Sequence, residues 1–503
     1  MNCVLLYGYE NEPTTKSAGP FRIASELRKH GYTVNCIDIS SFNYIKGDIK
    51  EILESIITKD TLWVGISSSF LYQILGLKYF RFEINHKKID RELENQILTQ
   101  VRFLKQLNPD IEIITGGSRV FQLEKYGFRV FDRYVDAEIL EFTNRCRDKT
   151  LNKFDTSTII GKDFKEFSNS MITYVEEDII NPWEVLPIEI SRGCIFRCKF
   201  CSFPMNGKSK GEWIKQEAVL LDEFKRNYEK FGVTNYLFAD DTYNDSVDKV
   251  KRLYDNVFSK LDFKIKFTTY LRLDLMVRYP ETIEYLHESG LKSAVFGIET
   301  LNHRSGKAIG KGMNPLDLTQ FIKELKLNQF KDILTFSGFI IGLPHDTEDT
   351  AQELKEFLLS DDNYLDQWEV SVLHLNPKLY HKKNNYSLFD LEYEKYGYDV
   401  WEDRSEHNSR KQIKWKNHLN GLHFDKCFDD AENIMDISRK SSKFKIAGFY
   451  YNFYTNLQIP ESEIMSLPAF EIIAKYDIES LKAEKSKAYI ERLKSFYILG
   501  NKS

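Results

Sequence analysis

The sequence lacks the features that mark several special classes of protein. It has no apolar run of about 18 residues, the length that a membrane-spanning helix needs, so no membrane partner is expected. Its 25 glycines, 12 prolines and 7 cysteines among 503 residues exclude collagen-like, low-complexity and disulfide-scaffold classes. A formal net charge of −5 provides no general attraction for nucleic acid. The basic segment 206–210 can contact phosphates, but we expect it to be a solvated loop.

The start of the sequence also lacks a basic leader. Residues 1–8 contain a short apolar run that ends at a glycine. A secretory signal has a basic segment before its apolar core. We therefore expect a buried first strand here, and a cytoplasmic protein.

What the sequence does contain is a long alternation of strand-like and helix-like segments, with a break between residues 151 and 183. Its 503 residues are enough for two or three domains. Residues 1–150 predict an α/β domain with a doubly wound parallel sheet. The predicted strands are Cys3–Gly8, Thr33–Ile39, Thr61–Ser67 and Ile111–Thr115, and the predicted helices are Phe21–His30, Ile49–Ile57 and Glu92–Leu107. The polar residues 151–183 predict a linker.

Residues 184–377 contain a second alternation of six strand–helix units. The predicted strands are Pro187–Ser191, Thr234–Ala239, Lys264–Tyr270, Ser293–Glu299, Ile333–Gly342 and Trp368–Leu375. Periodicity alone allows a partial barrel or a second doubly wound sheet. Residues 378–503 predict a helical, aromatic-rich C-terminal region.

Three of the seven cysteines lie within eight residues, just after the first strand of the second alternation. Cys194, Cys198 and Cys201 have a spacing that lets one short loop turn all three thiolates toward one iron–sulfur cluster. Three ligands leave one iron open for a substrate or cofactor. Two alternatives are three unligated thiols and a zinc site. A zinc site would need a fourth ligand, and the next candidates are His287 and Cys427.

The segment from Cys194 to Cys201, with Phe200 before the last cysteine, resembles the CxxxCxΦC motif of radical S-adenosylmethionine enzymes. The resemblance implies a partial (β/α)6 TIM-like barrel with a [4Fe–4S] cluster on the three cysteines. It also implies that S-adenosylmethionine binds the open iron and that one-electron reduction yields a 5′-deoxyadenosyl radical. That radical abstracts hydrogen from a substrate, here an unidentified small molecule or peptide. A reducing partner such as flavodoxin or ferredoxin is implied as well.

The resemblance extends through most of the second alternation and assigns further residues to cofactor binding. Asp240 or Asp241 would accept hydrogen bonds from the methionine ammonium, although solvated aspartates beside a helix cap at Asp245 are an alternative. The other matching positions are Arg272 of an R-x-D motif, Glu299 of a GIET strand end followed by Lys311-Gly312, and Gly338 and Gly342 of a glycine-rich strand. His345-Asp346-Thr347 departs from the usual Gly-Glu-Thr.

The first domain resembles the B12-binding, flavodoxin-like domain that precedes the barrel in one radical S-adenosylmethionine subfamily. Ser67 and the pair Gly116-Gly117 match two loops that approach cobalamin. The third signature, Asp-x-His-x-x-Gly, is absent, because segment 9–15 contains no histidine. Some members of this subfamily bind cobalamin without that histidine, and others have lost the cofactor, so both outcomes stay open here.

These features predict a methyltransferase, a cyclase or a rearrangement catalyst of the radical S-adenosylmethionine type. An alternative enzyme is a methylthiotransferase. That family usually has three further cysteines for a second cluster, whereas Cys3, Cys36 and Cys146 are scattered. A non-enzymatic iron–sulfur or zinc protein is the alternative from a different class.

Overall fold

A computed structural model describes residues 1–9, 12–67, 91–116, 126–132, 135–151, 158–160, 165–203, 205–311, 313–379, 386–403 and 412–499. The chain divides into two compact units. The first contains residues 1–184, 226–232 and 478–503, and the second contains residues 185–225 and 233–477. The C-terminal region predicted at 378–503 is thus divided between the two units.

The first unit is built on a six-stranded parallel sheet with the strand order 2-1-3-4-5-6. The strands are β1 (Asn2–Tyr7), β2 (Thr33–Asp38), β3 (Thr61–Ser67), β4 (Glu112–Gly116), β5 (Phe128–Asp132) and β6 (Thr158–Ile160). The helices are α1 (Ala18–Lys29), α2 (Ile39–Tyr44), α3 (Lys50–Ile56), α4 (Arg91–Leu107) and α5 (Asp136–Arg147). The order reverses between β1 and β3, which is the flavodoxin-like arrangement. The predicted doubly wound sheet is confirmed, and its edge strand β6 falls within the predicted linker.

The core of the first unit forms because helices cover both faces of the sheet. Every residue from Cys3 to Tyr7 in β1 is at most 5% exposed. Val4 and Leu6 belong to one apolar cluster with Ile37 on β2 and Val64 on β3. This continuous burial explains why β1 is apolar at consecutive positions instead of alternating.

A helix from the far end of the chain completes this core. In α18 (Ile478–Lys494), the side chains of Tyr489, Ile490 and Leu493 belong to the same apolar cluster as β1. The Tyr489 hydroxyl accepts a hydrogen bond of 2.8 Å from the Asp38 backbone N–H at the end of β2. The first unit therefore needs residues that follow the second unit in the sequence.

The second unit is built on six parallel strands that neighbour one another in chain order. They are β7 (Val185–Ile188), β8 (Asn235–Phe238), β9 (Lys266–Leu271), β10 (Leu291–Glu299), β11 (Leu334–Ile341) and β12 (Gln367–Val372). The intervening helices are α6 (Glu217–Phe231), α7 (Val247–Asn256), α8 (Leu273–Arg278), α9 (Glu281–Glu288), α10 (His303–Ile309), α11 (Pro315–Leu327) and α12 (Thr350–Leu359). This topology confirms the predicted partial (β/α)6 barrel.

One face of this sheet packs on helices, and the other is partly open. On β12, Trp368 and Val370 are buried, and the Trp368 indole donates a 2.9 Å hydrogen bond to Ser438. Glu369 between them is exposed on the opposite face, since neighbouring strand residues alternate. Gly297, Gly338 and Glu369 pair in one row across β10, β11 and β12. The two adjacent glycines place no side chain on this inner face.

The remaining elements of the second unit follow β12. They are α13 (Leu388–Glu392), β13 (Tyr398–Asp403), β14 (Gln412–Asn417), α14 (Phe424–Ser438), α15 (Phe449–Asn456), α16 (Glu461–Ser466) and α17 (Ala469–Lys475). The region is largely helical, as predicted, but β13 and β14 form an antiparallel pair that the prediction did not include.

Helix α15 lies at the amino-terminal ends of the barrel strands. The Asn456 side-chain oxygen accepts a 2.7 Å bond from the Val185 N–H, at the start of β7. Asn452 accepts a 2.9 Å bond from the Thr268 hydroxyl of β9. Because α15 occupies this end, the carboxyl ends of the strands are left for a functional site, as is usual in such sheets.

Candidate functional site

The cysteine loop leaves the carboxyl end of β7 and is closed at its base by backbone hydrogen bonds. The Lys215 N–H donates to the Ile190 carbonyl at 2.9 Å, and the Arg192 N–H donates to the Trp213 carbonyl at 3.0 Å. Gly193 has φ = +73°, and a Cβ there would lie 2.5 Å from the Met205 carbonyl oxygen. Only glycine fits this turn, which starts the cysteine segment.

The middle of the loop is fixed to the end of a neighbouring helix. Asn302 caps the start of α10, accepting from the N–H groups of Arg304 and Ser305. At the other end of α10, the Ile309 carbonyl accepts a 3.0 Å bond from the Lys199 N–H. The loop that holds the three cysteines is therefore anchored both to itself and to the helix after β10.

The three cysteines lie in this loop with different exposures. Cys194 is 9% exposed, and Cys198 and Cys201 are half-buried; all three are free thiols. Burial raises the pKa of the Cys194 and Cys201 thiols. Three thiols from one loop form the donor set that a [4Fe–4S] cluster with one open iron requires.

A single metal ion would need a tighter arrangement of ligands. In the part of the chain that the structure describes, no three histidine, cysteine or acidic side chains gather closely enough to bind one ion. A zinc ion needs sulfur ligands about 2.3 Å from its centre. In a cluster each thiolate binds a different iron, so the three sulfurs stand further apart.

Asp240 and Asp241 follow β8 but have different surroundings. The Asp240 carboxylate is buried and accepts hydrogen bonds from the Ser191 N–H at 2.7 Å, the Ser191 hydroxyl and the Ile190 N–H. Among the described residues, no group donates a hydrogen bond to the Asp241 side chain. Burial and the neighbouring Asp240 raise the pKa of the Asp241 carboxyl to about 6. Asp241 therefore has an unused acceptor at the strand end, and Asp240 has a structural role.

A buried lysine connects this strand end to the cysteine loop. The Lys249 ammonium lies 2.8 Å from Asp245 Oδ1 and donates 3.2 Å bonds to the Ser191 hydroxyl and the Thr242 carbonyl. The residue that caps its helix is Ser246, not Asp245. Lys249 is not among the predicted site residues, although its four-residue spacing from Asp245 is a usable signal.

Segment 206–210 is not solvated throughout, as had been expected. Lys208 is only 7% exposed, and its ammonium lies 3.7 Å from Asp245 Oδ2 and 3.2 Å from the Glu212 carbonyl. The prediction of a solvated loop is wrong at Lys208. Its charge is used inside the protein, because it compensates a buried carboxylate.

Arg272 reaches the cysteine loop from the end of β9. Its guanidinium makes two hydrogen bonds to Asp274, of 2.8 and 2.5 Å, and lies 3.9 Å from the centre of the Phe196 ring. Burial alone would raise the pKa of the Asp274 carboxyl, but the hydrogen bonds from Arg272 hold this pKa below its ordinary value. The R-x-D motif thus forms an ion pair that packs on the loop, and Phe200 is half-buried in the same loop.

Glu299 lies at the end of β10, and its carboxylate lies over Gly297. The backbone of Glu299 has φ = +71°, and Glu299 Oε1 lies 3.5 Å from the Lys311 ammonium. Burial raises the pKa of this carboxyl, against the effect of Lys311. A Cβ at Gly297 would lie 2.3 Å from Glu299 Oε1, whereas a Cβ at Gly338 would meet only Glu299 Oε2, at 4.0 Å. Gly338 therefore borders open space.

Gly342 has a different environment. It has φ = +90°, and a Cβ there would lie 2.5 Å from the Trp415 ring. Its N–H donates to Asp346 Oδ2 at 3.0 Å, and its carbonyl accepts from the Tyr398 hydroxyl at 2.7 Å. Asp346, in the turn that departs from the usual motif, thus holds the backbone after β11. The packing of Trp415 explains the glycine at position 342.

Tyr270 is a residue that the sequence analysis did not single out. It lies on the inner face of β9, 36% exposed, with its ring 5.0 Å from the Phe449 ring. Burial, followed by the nearby Asp241, Glu369 and Glu299 carboxylates, raises the pKa of its hydroxyl to about 12. A lone tyrosine in a strand carries no sequence signal of this kind, because strand periodicity alone does not indicate which face is inner.

In the first unit, the predicted cofactor residues lie at the carboxyl ends of two neighbouring strands. Ser67 of β3 pairs with Gly116 of β4, and both are half-buried. Gly117 and the loop after Ser67 lie outside the described residues, as does Gly312 in the second unit. The two loops predicted to approach cobalamin thus start side by side, next to the point where the strand order reverses.

Comparisons with known proteins agree with this architecture. The sequence model of the Radical SAM superfamily, where SAM is S-adenosylmethionine, matches residues 188–358. An uncharacterized methyltransferase of Pyrococcus horikoshii is 23% identical over 306 residues, covering 56% of this chain and 65% of that protein. The bacteriochlorophyllide d C-8(2)-methyltransferase of Chlorobaculum tepidum is 23% identical over 222 residues, covering 42% and 47%. The chain spans less than two thirds of the length of either relative.

Among solved structures, the chain is similar to the radical S-adenosylmethionine methyltransferase TsrM from Kitasatospora setae, which was determined with cobalamin and a [4Fe–4S] cluster bound. The TM-score is 0.60 at 12% identity, covering 97% of this chain and 99% of that one. At this identity the likeness shows a shared fold. The segment that matches the Radical SAM superfamily model, residues 188–358, contains the three-cysteine loop after β7 and the strands β8 to β11.

Proposed function

We propose that the protein is a radical S-adenosylmethionine enzyme, and that Cys194, Cys198 and Cys201 hold its [4Fe–4S] cluster. The observation that carries the proposal is the anchored three-thiol loop, which lies at the carboxyl end of the parallel sheet beside the unused carboxylate of Asp241. When bound and reduced, the cluster supplies one electron that cleaves S-adenosylmethionine to methionine and a 5′-deoxyadenosyl radical.

The residues of the chain have separate tasks in this proposal. Asp241 binds the ammonium of the methionine moiety through charge-assisted hydrogen bonds. Glu299 accepts hydrogen bonds from the ribose or the methionine end, and Lys311 holds its carboxylate in place at 3.5 Å. Gly338 leaves room for the adenine, since nothing but Glu299 lies within 4 Å of the position of a Cβ.

We further propose methyl transfer to a small molecule or peptide, with cobalamin bound by the first unit. The strand order 2-1-3-4-5-6 and the adjacent Ser67 and Gly116 support this, because ligands of such sheets bind where the strand order reverses. The methyltransferases among the relatives support the same reaction class. A flavodoxin or ferredoxin is the proposed electron donor.

The test of the proposal is anaerobic reconstitution followed by analysis of iron, sulfide and 5′-deoxyadenosine. We expect about four iron atoms per chain and slow formation of 5′-deoxyadenosine from S-adenosylmethionine after reduction with dithionite. Replacing the three clustered cysteines by alanine should abolish both. The matched control is Cys427→Ala, which removes a buried thiol from α14 and should leave both unchanged.

Two results would contradict the proposal. Stoichiometric zinc without labile sulfide would make the loop a zinc site. An intact reduced cluster that never produces 5′-deoxyadenosine, with or without cell extract as a source of substrate, would indicate an electron-transfer or structural role.

A further inference from the structure

Each of the three clustered thiols has its own side-chain hydrogen-bond partner. The Thr242 hydroxyl lies 3.2 Å from the Cys194 sulfur. The Asn206 amide nitrogen donates to the Cys201 sulfur at 3.2 Å. An Arg272 nitrogen donates to the Cys198 sulfur at 3.5 Å. We call Thr242, Asn206 and Arg272 the sulfur donors. They come from three separate segments, so the pattern is a property of the fold and not of one turn.

The sulfur donors are held in place by interactions of their own. The buried Lys249 donates a 3.2 Å bond to the Thr242 carbonyl. The backbone around Asn206 pairs with that of Cys194, since the Gly207 N–H donates to the Cys194 carbonyl at 2.7 Å. Arg272 is fixed by Asp274 on one side and by the Phe196 ring on the other. Each sulfur donor is therefore held by contacts other than its own bond to a cysteine sulfur.

The sulfur donors are better hydrogen-bond partners for a thiolate than for a thiol, because a thiolate only accepts hydrogen bonds. The amide of Asn206 and the guanidinium of Arg272 only donate through the nitrogens concerned. The Thr242 hydroxyl has a single proton, which is directed to the Asp241 carbonyl at 2.6 Å. When Cys194 is a thiolate, this hydroxyl can turn its proton toward the sulfur. All three partners then donate to negatively charged sulfur.

We propose that the sulfur donors set the reduction potential of the cluster. The inference rests on the proposed function, because it requires a [4Fe–4S] cluster on the three cysteines. Reduction from the 2+ to the 1+ state adds one electron from an external reductant, and no bond is made or broken. The added negative charge spreads onto the thiolate sulfurs, where donated hydrogen bonds stabilise it. The donors thus make the cluster easier to reduce.

The experiment is a redox titration of the reconstituted cluster in the full chain, poised with dithionite and followed by the electron paramagnetic resonance signal of the reduced state. The variants are Thr242→Val and Asn206→Leu, which remove a donor without adding charge. At fixed potential, each should lower the ratio of reduced to oxidised cluster by about tenfold, equivalent to about 59 mV for a one-electron couple. Thr242→Ser, which keeps the hydroxyl, should restore the original ratio.

The matched control is Thr282→Val. Thr282 is buried like Thr242, and its hydroxyl also donates to a backbone carbonyl, that of Tyr279, but among the described residues it has no hydrogen bond to a cysteine. The cluster of this variant should have the same reduction potential as the cluster of the unmodified protein. If Thr242→Val does not fold, Asn206→Leu decides alone.

The outcomes separate this inference from the proposed function. If the unmodified protein binds no iron, the proposed function itself is wrong. If the variants hold a complete cluster with an unchanged potential, the proposed function stands and the role of the sulfur donors is overturned. A shift of equal size in Thr282→Val would also overturn it, since the change would then not depend on the sulfur.

Discussion

Asp240 and Asp241 follow the same strand, but only one of them has an unused carboxylate. We expect Asp241→Asn to weaken binding of S-adenosylmethionine by about ten- to a hundredfold, because a charge-assisted hydrogen bond is worth about 1.5–3 kcal/mol. The iron content should not change. The measurement is the concentration of S-adenosylmethionine that gives half-maximal 5′-deoxyadenosine formation, with iron determined in parallel.

Asp240→Asn is the comparison. Its carboxylate accepts from the Ser191 N–H, the Ser191 hydroxyl and the Ile190 N–H at the base of the cysteine loop. An amide oxygen is a weaker acceptor than a carboxylate oxygen, and the NH2 group of Asn would face the N–H and hydroxyl donors that now bind Asp240. This variant should lose iron and thermal stability, whatever the concentration of S-adenosylmethionine. The reverse pattern, with the iron lost from the Asp241 variant, would show that the assignment of the two residues is wrong.

At the scale of single residues, the sequence predicts the chemistry of the site better than its geometry. The three cysteines are apparent from spacing alone. The distinction between Asp240 and Asp241 is not, because adjacent residues at a strand end face opposite sides and the motif does not specify which side is buried. The burial of Lys208 against Asp245 is equally invisible in a segment that reads as a polar loop.

At the scale of elements, β11 and the turn after it contain two glycines with different purposes. A side chain at Gly338 meets open space, so Gly338→Val should fold normally and weaken binding of S-adenosylmethionine by occupying the adenine position. Gly342→Ala would need a positive φ and would contact Trp415. We expect it to lower stability by at least about 2 kcal/mol. Thermal unfolding and cofactor titration of both variants would check this contrast, and a Gly338→Val variant that binds normally would contradict it.

Helix α18 offers a second test at this scale. Leu493 is fully buried in the core of the first unit, and Glu491 on the same helix is exposed. Leu493→Ala should destabilise the first unit by about 2–5 kcal/mol through the cavity that it leaves. The matched control, Glu491→Ala, should have little effect. Hydrogen exchange of the amides of β1 and β2 measures the change where it is expected, and equal exchange in both variants would rule out this role for α18.

The elements that sequence analysis missed have identifiable physical reasons. Strands such as β1 and β3 consist of nearly continuous apolar residues, which predict buried parallel strands. Charged residues flank the Val400-Trp401 pair in β13 and Trp415 in β14, so these strands do not stand out in a charged tail. The two strands are only a few residues apart in the sequence, but Trp415 packs on Phe424 of α14 and beside Gly342, and the sequence does not indicate these contacts.

At the scale of the whole molecule, the next prediction concerns the cobalamin proposed for the first unit. The loop after β1 has no histidine, so bound cobalamin should show a spectrum without a nitrogen ligand from the protein. The measurement is the absorption spectrum of the protein incubated with hydroxocobalamin and then desalted. The spectrum of an imidazole-bound cobalt would contradict this expectation. A colourless protein would show that no cobalamin is bound and would contradict the proposed cobalamin-dependent methyl transfer.

The return of the chain to the first unit also has a consequence for its biosynthesis. Residues 1–184 leave the ribosome well before residues 478–494, which supply Tyr489, Ile490 and Leu493 to their core. At about 5–20 residues per second, that delay lasts roughly 15–60 s. During this interval the nascent first unit exposes an apolar surface that chaperones would recognise, while the barrel can already fold. The first unit can therefore be completed only after the second unit, although the strands of the first unit are synthesised earlier.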